Sequence, residues 1–112
     1  MPTPMDFKTL MLNQLEEIRQ IMLNPDYLQA LEECNPNIQS NAARMMSGIQ
    51  TLGIKVRTVT TVNIRKTIDT EEANLLSGIN SVKEAIDDIT QVEKIILAAR
   101  NLHAVIDRII CP

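Results

Sequence analysis

The sequence predicts an all-α protein: an elongated antiparallel helical hairpin or bundle, with two shorter helices near the N-terminus followed by two long ones. Three observations predict it. Phe7, Met11, Leu15, Ile18 and Met22 recur at helical spacings of four and three, a single apolar stripe. From Leu75 to Ile110 the positions Leu75, Gly78, Val82, Ala85, Ile89, Val92, Ile96, Ala99, His103, Ile106 and Ile110 alternate spacings of three and four, which is a heptad seam. Thr3-Pro4, Asn24-Pro25 and Asn35-Pro36 each pair a capping side chain with a proline suited to the first helical position.

The first helix is expected to start at Pro4, with Thr3 as N-cap and Asp6 near the positive end of the helix dipole, and to run to about Leu23. A second helix of about ten residues lies between the two Asn-Pro pairs and carries Leu28, Leu31 and Cys34. The third element is ambiguous in isolation. Residues 54–64 are rich in β-branched side chains and partly alternate, the pattern of a strand or hairpin. An offset of thirty residues argues for helix instead. Ala43-Arg-Met-Met-Ser-Gly-Ile-Gln-Thr-Leu52 aligns with Ala73-Asn-Leu-Leu-Ser-Gly-Ile-Asn-Ser-Val82, and the apolar match continues through Val56 with Ile86, Val59 with Ile89 and Val62 with Val92. A helix over 37–66 follows, with a short β segment near 54–64 as the alternative.

After a turn around Thr67 to Thr70, the last helix is expected to run unbroken from residue 71 to 111, since no proline interrupts it. Such a helix of about 40 residues would extend about 60 Å. Ile95, Leu102 and Ile109 widen its apolar stripe beyond what one partner helix covers. The sequence therefore assigns a self-association interface to Ile96, Ala99, His103, Ile106 and Ile110, filled by a second copy or by another helical protein. On that assignment, Asp at position 106 or 110 dissociates the assembly and leaves most helix intact.

At 112 residues, 45% of them hydrophobic and 2% aromatic, the chain is expected to form one domain over 1–112 with an aliphatic core. One Phe, one Tyr and no Trp argue against an aromatic-lined ligand pocket or a base-stacking platform. Cys34 and Cys111 are expected as free thiols. The start lacks the basic and apolar regions of a signal peptide, and no apolar run is long enough to span a bilayer, so the expected compartment is cytoplasmic.

Charge is segregated along the chain. Residues 34–68 carry Arg44, Lys55, Arg57, Arg65 and Lys66 and no acid, between two acid-rich flanks. Packing of a basic middle element between acidic neighbours is the first reading, with complementary charge fixing register. The second takes those five cations as contacts for nucleic acid or another anion. A third, membrane-active reading inserts 53–64 into an anionic leaflet.

Residues with catalytic chemistry are sparse. His103, the single histidine, falls on the seam, and neither cysteine has metal-ligand spacing to it. Glu16-Glu17, Glu32-Glu33, Glu71-Glu72 and Asp87-Asp88 point about 100° apart on a helix and read as solvated faces. Gly48 and Gly78, each followed by Ile, read as close helix approaches. Met5, Met11, Met22, Met45 and Met46 read as core filling, with an adaptable groove as the alternative. No catalytic residue, metal or cofactor is expected, and the function predicted is a non-enzymatic structural or adaptor module acting through helix–helix contacts.

Overall fold

The computed structural model describes residues 3–111; Met1, Pro2 and Pro112, read above as sequence only, lie outside them. Among the described residues there are five helices: α1 (Pro4–Met22), α2 (Pro25–Glu32), α3 (Pro36–Thr58), α4 (Thr61–Ala85) and α5 (Val92–Ile110). No strand occurs among the described residues. The all-α bundle is thus as predicted, but it is compact, its longest extent of 44 Å falling short of the roughly 60 Å that one helix over 71–111 would span.

The three N-terminal helix starts follow from their caps. Thr3 and Asp6 form a reciprocal capping box, Thr3 N–H donating to Asp6 Oδ2 at 2.8 Å and Asp6 N–H to Thr3 Oγ1 at 3.2 Å. The Asn24 side chain accepts from Asp26 N–H at 2.9 Å, and that of Asn35 from Ile38 N–H at 3.0 Å. Each leads directly into its proline. The α1 stripe from Phe7 to Met22 is buried throughout.

The C-terminal half is divided differently from the sequence expectation. The break expected at Thr67–Thr70 lies at Val59–Thr60, and the single helix expected over 71–111 reverses at 86–91. At the first break Val59 is extended, with ψ 143°, and Thr60 caps α4 by accepting from Asn63 N–H at 3.3 Å. A β-branched run costs helix side-chain entropy, so Val59 to Val62 interrupt a helix here rather than building a strand. Lys8 of α1 donates to Val59 O at 3.0 Å, placing a cation on the carbonyl end of α3. At the second break Asp88 accepts from both Thr90 N–H (3.0 Å) and the Thr90 hydroxyl (2.6 Å), an Asx turn that reverses the chain without glycine or proline.

The helices form a four-cornered bundle. α1 packs beside α3 and α4, and α5 beside the same two, with the α4–α5 pair the most extensive. α3 and α4, though consecutive, therefore sit across a diagonal. Lys8 against Val59 sets α1 antiparallel to α3, and Thr67 against Ile109 sets α4 antiparallel to α5. Turning back at 86–91 folds the heptad seam onto itself: Leu75, Gly78, Val82 and Ala85 of α4 and Val92, Ile96, Ala99, Ile106 and Ile110 of α5 are all buried in one continuous core. Gly78 makes the approach close, since a Cβ there would lie 3.2 Å from Leu102 Cδ1.

Candidate functional site

The structure moves the predicted interface inside the chain. Ala99 and Ile106 have no exposed surface, and Ile96 and Ile110 retain about a twentieth of theirs at 5% each. His103 is half-buried, its Nε2 3.5 Å from where a Gly48 Cβ would stand, so the ring covers that glycine of α3. The wide α5 stripe is real, but α3 and α4 cover it, and these five residues offer a second copy no apolar face. The expectation of one unbroken helix over 71–111 missed the reversal because the seam runs in phase through the turn, with only Asp88-Ile-Thr90 to mark it.

Surface apolar groups lie elsewhere. Leu23, Leu28, Ile54, Val62, Leu76 and Leu97 are exposed. Two of them rim a notch of about 230 Å³ where α2 crosses the end of the bundle, lined by Met22, Leu23, Tyr27, Leu28, Leu31, Gln39, Ala42, Ala43 and Met46. Met22 and Met46 thus contribute to an apolar groove, while Met11 is core and Met5 is exposed. Gln39 shapes the notch from α3: its side-chain amide points at Leu31 O (3.2 Å), Glu32 O (3.2 Å) and Cys34 O (3.1 Å), holding the carbonyl end of α2. Tyr27 is buried beneath, its hydroxyl without a partner among the described residues, and burial pushes its pKa up to about 12.

Charge distinguishes the two ends of the bundle. The α2 end carries Asp26, Glu32 and Glu33, with no base anywhere between Arg19 and Arg44. The 86–91 turn closes the same end with Glu84, Asp87, Asp88 and Glu93, and no base lies between Lys83 and Lys94. At the opposite end the α3–α4 junction gathers Lys55, Arg57, Arg65 and Lys66, all exposed, with no acid from 34 to 68. Arg44 stands apart, exposed near the other end of α3.

None of these five cations forms a salt bridge among the described residues. The expected register-fixing charge reduces to Arg57, which lies near Glu16 across a shallow α1–α3 groove of about 300 Å³ lined also by Leu12, Arg19 and Ile54. Hydrogen bonds from Arg19 and Gln20 hold the Glu16 carboxyl at about 2, with Arg57 adding a smaller pull. Residues 53–64, the segment of the membrane reading, form a helix end, a two-residue break and a helix start. No helix among the described residues is long and apolar enough to cross a membrane.

Cys34 and Cys111 are both free thiols at opposite ends of the bundle, the first half-buried with its Sγ donating to Ala30 O at 3.4 Å. No group of three or more His, Cys, Asp or Glu among the described residues is arranged to hold a metal ion. Compared with known protein families, curated proteins and solved structures, the chain matches none.

Proposed function

We propose that this protein is a non-enzymatic structural or adaptor module of the cytoplasm, acting through helix-surface contacts and associating with itself. The observation that carries the reading is the apolar notch at the α2 end. Leu23 and Leu28 remain 49% and 40% exposed there, beside a groove whose lining is almost wholly apolar. Contiguous exposed apolar surface rimmed by charge is the usual mark of a protein contact, whereas single exposed aliphatic side chains are not. Light scattering on a sizing column over a hundredfold concentration range tests it. A mass rising above 12.6 kDa is expected, and a mass fixed at 12.6 kDa under all conditions contradicts self-association.

The cation cluster at the α3–α4 junction supports a second reading, an accessory contact to nucleic acid. Lys55, Arg57, Arg65 and Lys66 are exposed and unpaired with carboxylates among the described residues. Affinity for duplex DNA should then fall steeply with salt and with loss of Arg57 and Arg65, the logarithmic slope dropping by about 0.9 per phosphate contact removed. Absence of binding at low salt ends that reading.

A further inference from the structure

We propose that the protein associates head to tail, the basic tip at the α3–α4 junction of one copy seating in the acidic apolar notch at the α2 end of the next. The proposal rests on the self-associating reading above and names the two surfaces that carry it. They are complementary in two respects. At the tip, Val62 is 58% exposed, and Arg65 and Lys66 follow it at i+3 and i+4, so one helix face presents an aliphatic side chain flanked by two cations. At the notch, Leu28 is exposed and Glu32 follows it at i+4 on α2, with exposed Glu33 next as the C-cap.

The occupant is a second copy because charge selects it. The notch end carries an excess of acids, offset by Arg44 on α3 and by Lys94 near Asp88, and the tip an excess of bases, with Asp6 of α1 at the same end. Two notches or two tips brought together repel, which disfavours a two-fold dimer through either end. One molecule cannot close the contact on itself: the surfaces lie at opposite ends of α3, whose 23 residues span about 35 Å. A contact between two different patches, one at each end, propagates in an open line instead of closing as a dimer. The patches are small, so association should be weak and governed by salt.

The test is light scattering on wild type and two reversed-charge variants, Glu32→Lys with Glu33→Lys, and Arg65→Glu with Lys66→Glu. It is run at about 10 mM salt, where the Debye length is about 30 Å, and at about 1 M, where it is about 3 Å. Wild type should grow with concentration at low salt and return towards 12.6 kDa at high salt. Each variant alone, with the charges that follow Leu28 or Val62 reversed at the contact, should lose association at least tenfold, and an equimolar mixture of the two, which pairs an unaltered tip with an unaltered notch, should regain it. That recovery cannot come from misfolding, and far-ultraviolet dichroism of each variant checks the fold directly. Variants that associate as wild type does, or folded variants whose mixture stays monomeric, overturn the head-to-tail contact while leaving self-association standing. Wild type that is monomeric throughout overturns both. Binding of an added lysine-rich amphipathic peptide by monomeric wild type, lost in the Glu32/Glu33 variant, assigns the notch to a foreign helix and also overturns the proposal.

Discussion

Glycines 53 and 78 occupy helix interiors with opposite surroundings, and their replacement should have opposite signs. Alanine removes the backbone entropy cost of a helical glycine, worth about 0.5–1 kcal/mol. At Gly53 the nearest outside atom to a new Cβ is the mobile Arg57 Nη1 at 4.0 Å, so Gly53→Ala should stabilise by that amount. At Gly78 the Cβ meets Leu102 Cδ1 at 3.2 Å and Leu102 Cα at 3.6 Å, with Leu102 fully buried. Overpacking there outweighs the entropy gain, and Gly78→Ala should destabilise by about 1 kcal/mol. Thermal unfolding of the two variants checks both signs. Tyr27→Phe removes a buried hydroxyl that has no partner among the described residues, so the same measurement should show a midpoint equal to or above wild type. At this scale much was legible in the sequence: the Thr3, Asn24 and Asn35 caps, the α1 stripe and the close approach at Gly78 all follow from residue type and spacing. The notch was not, because Met22, Leu31 and Met46 come from three helices whose meeting depends on tertiary folding.

Helix ends are where the chain departs from its sequence pattern, and the cause is local. Thr60 starts α4 and Asp88 orders the turn that follows it through side-chain hydrogen bonds, in segments whose apolar phasing continues unbroken. Periodicity reports which side of an element is apolar but says nothing of where the element reverses. The β-branched run at 59–62 did mark a discontinuity, and Asp88-Ile-Thr90 is an Asx-turn signature that marks the other. The closure of α4 against α5 depends on Thr67, whose hydroxyl donates to Ile109 O at 2.7 Å near the carbonyl end of α5. Thr67→Val leaves that carbonyl unpaired and should cost about 1 kcal/mol, with faster amide exchange over the last turn of α5.

Acid should act on the same capping and turn carboxylates. Asp6 is held below its usual range by backbone and side-chain hydrogen bonds from Thr3, Glu16 by Arg19 and Gln20, Glu71 by Asn74 and Arg108, and Asp88 by Thr90. Folded values lie below unfolded ones, so the stability they contribute is complete above pH 4.5 and is lost as pH falls through the folded values towards 2. The thermal midpoint should therefore be flat from pH 7 to 5 and fall below 4.5. Asp88→Ala should lower the midpoint at pH 7, with a difference that shrinks as the wild-type carboxyl protonates. An equal difference at pH 7 and pH 2.5 would assign the effect to packing instead.

Across the whole molecule, the two alternatives for the apolar stripe of α5 are cover by a second copy and cover by the chain's own helices. The reversal at 86–91 decides between them, because it lays α4 on α5 and brings α3 to the remaining side. The charged ends and the exposed aliphatic positions then remain at the surface. The sequence displayed the charge segregation plainly, since no acid lies between Glu33 and Asp69, but its placement at opposite ends of one bundle required the three-dimensional path. The measurement that reaches the centre of this account is the folding of Ile106→Asp, followed by dichroism and light scattering together. Ile106 has no exposed surface within one chain, and a carboxylate buried there without a partner should cost at least about 4 kcal/mol, comparable to the whole stability of a small domain. The account predicts loss of the cooperative thermal transition and of native helicity. A variant with wild-type dichroism and midpoint but a lower mass would contradict it, and would return the seam to the interface between copies.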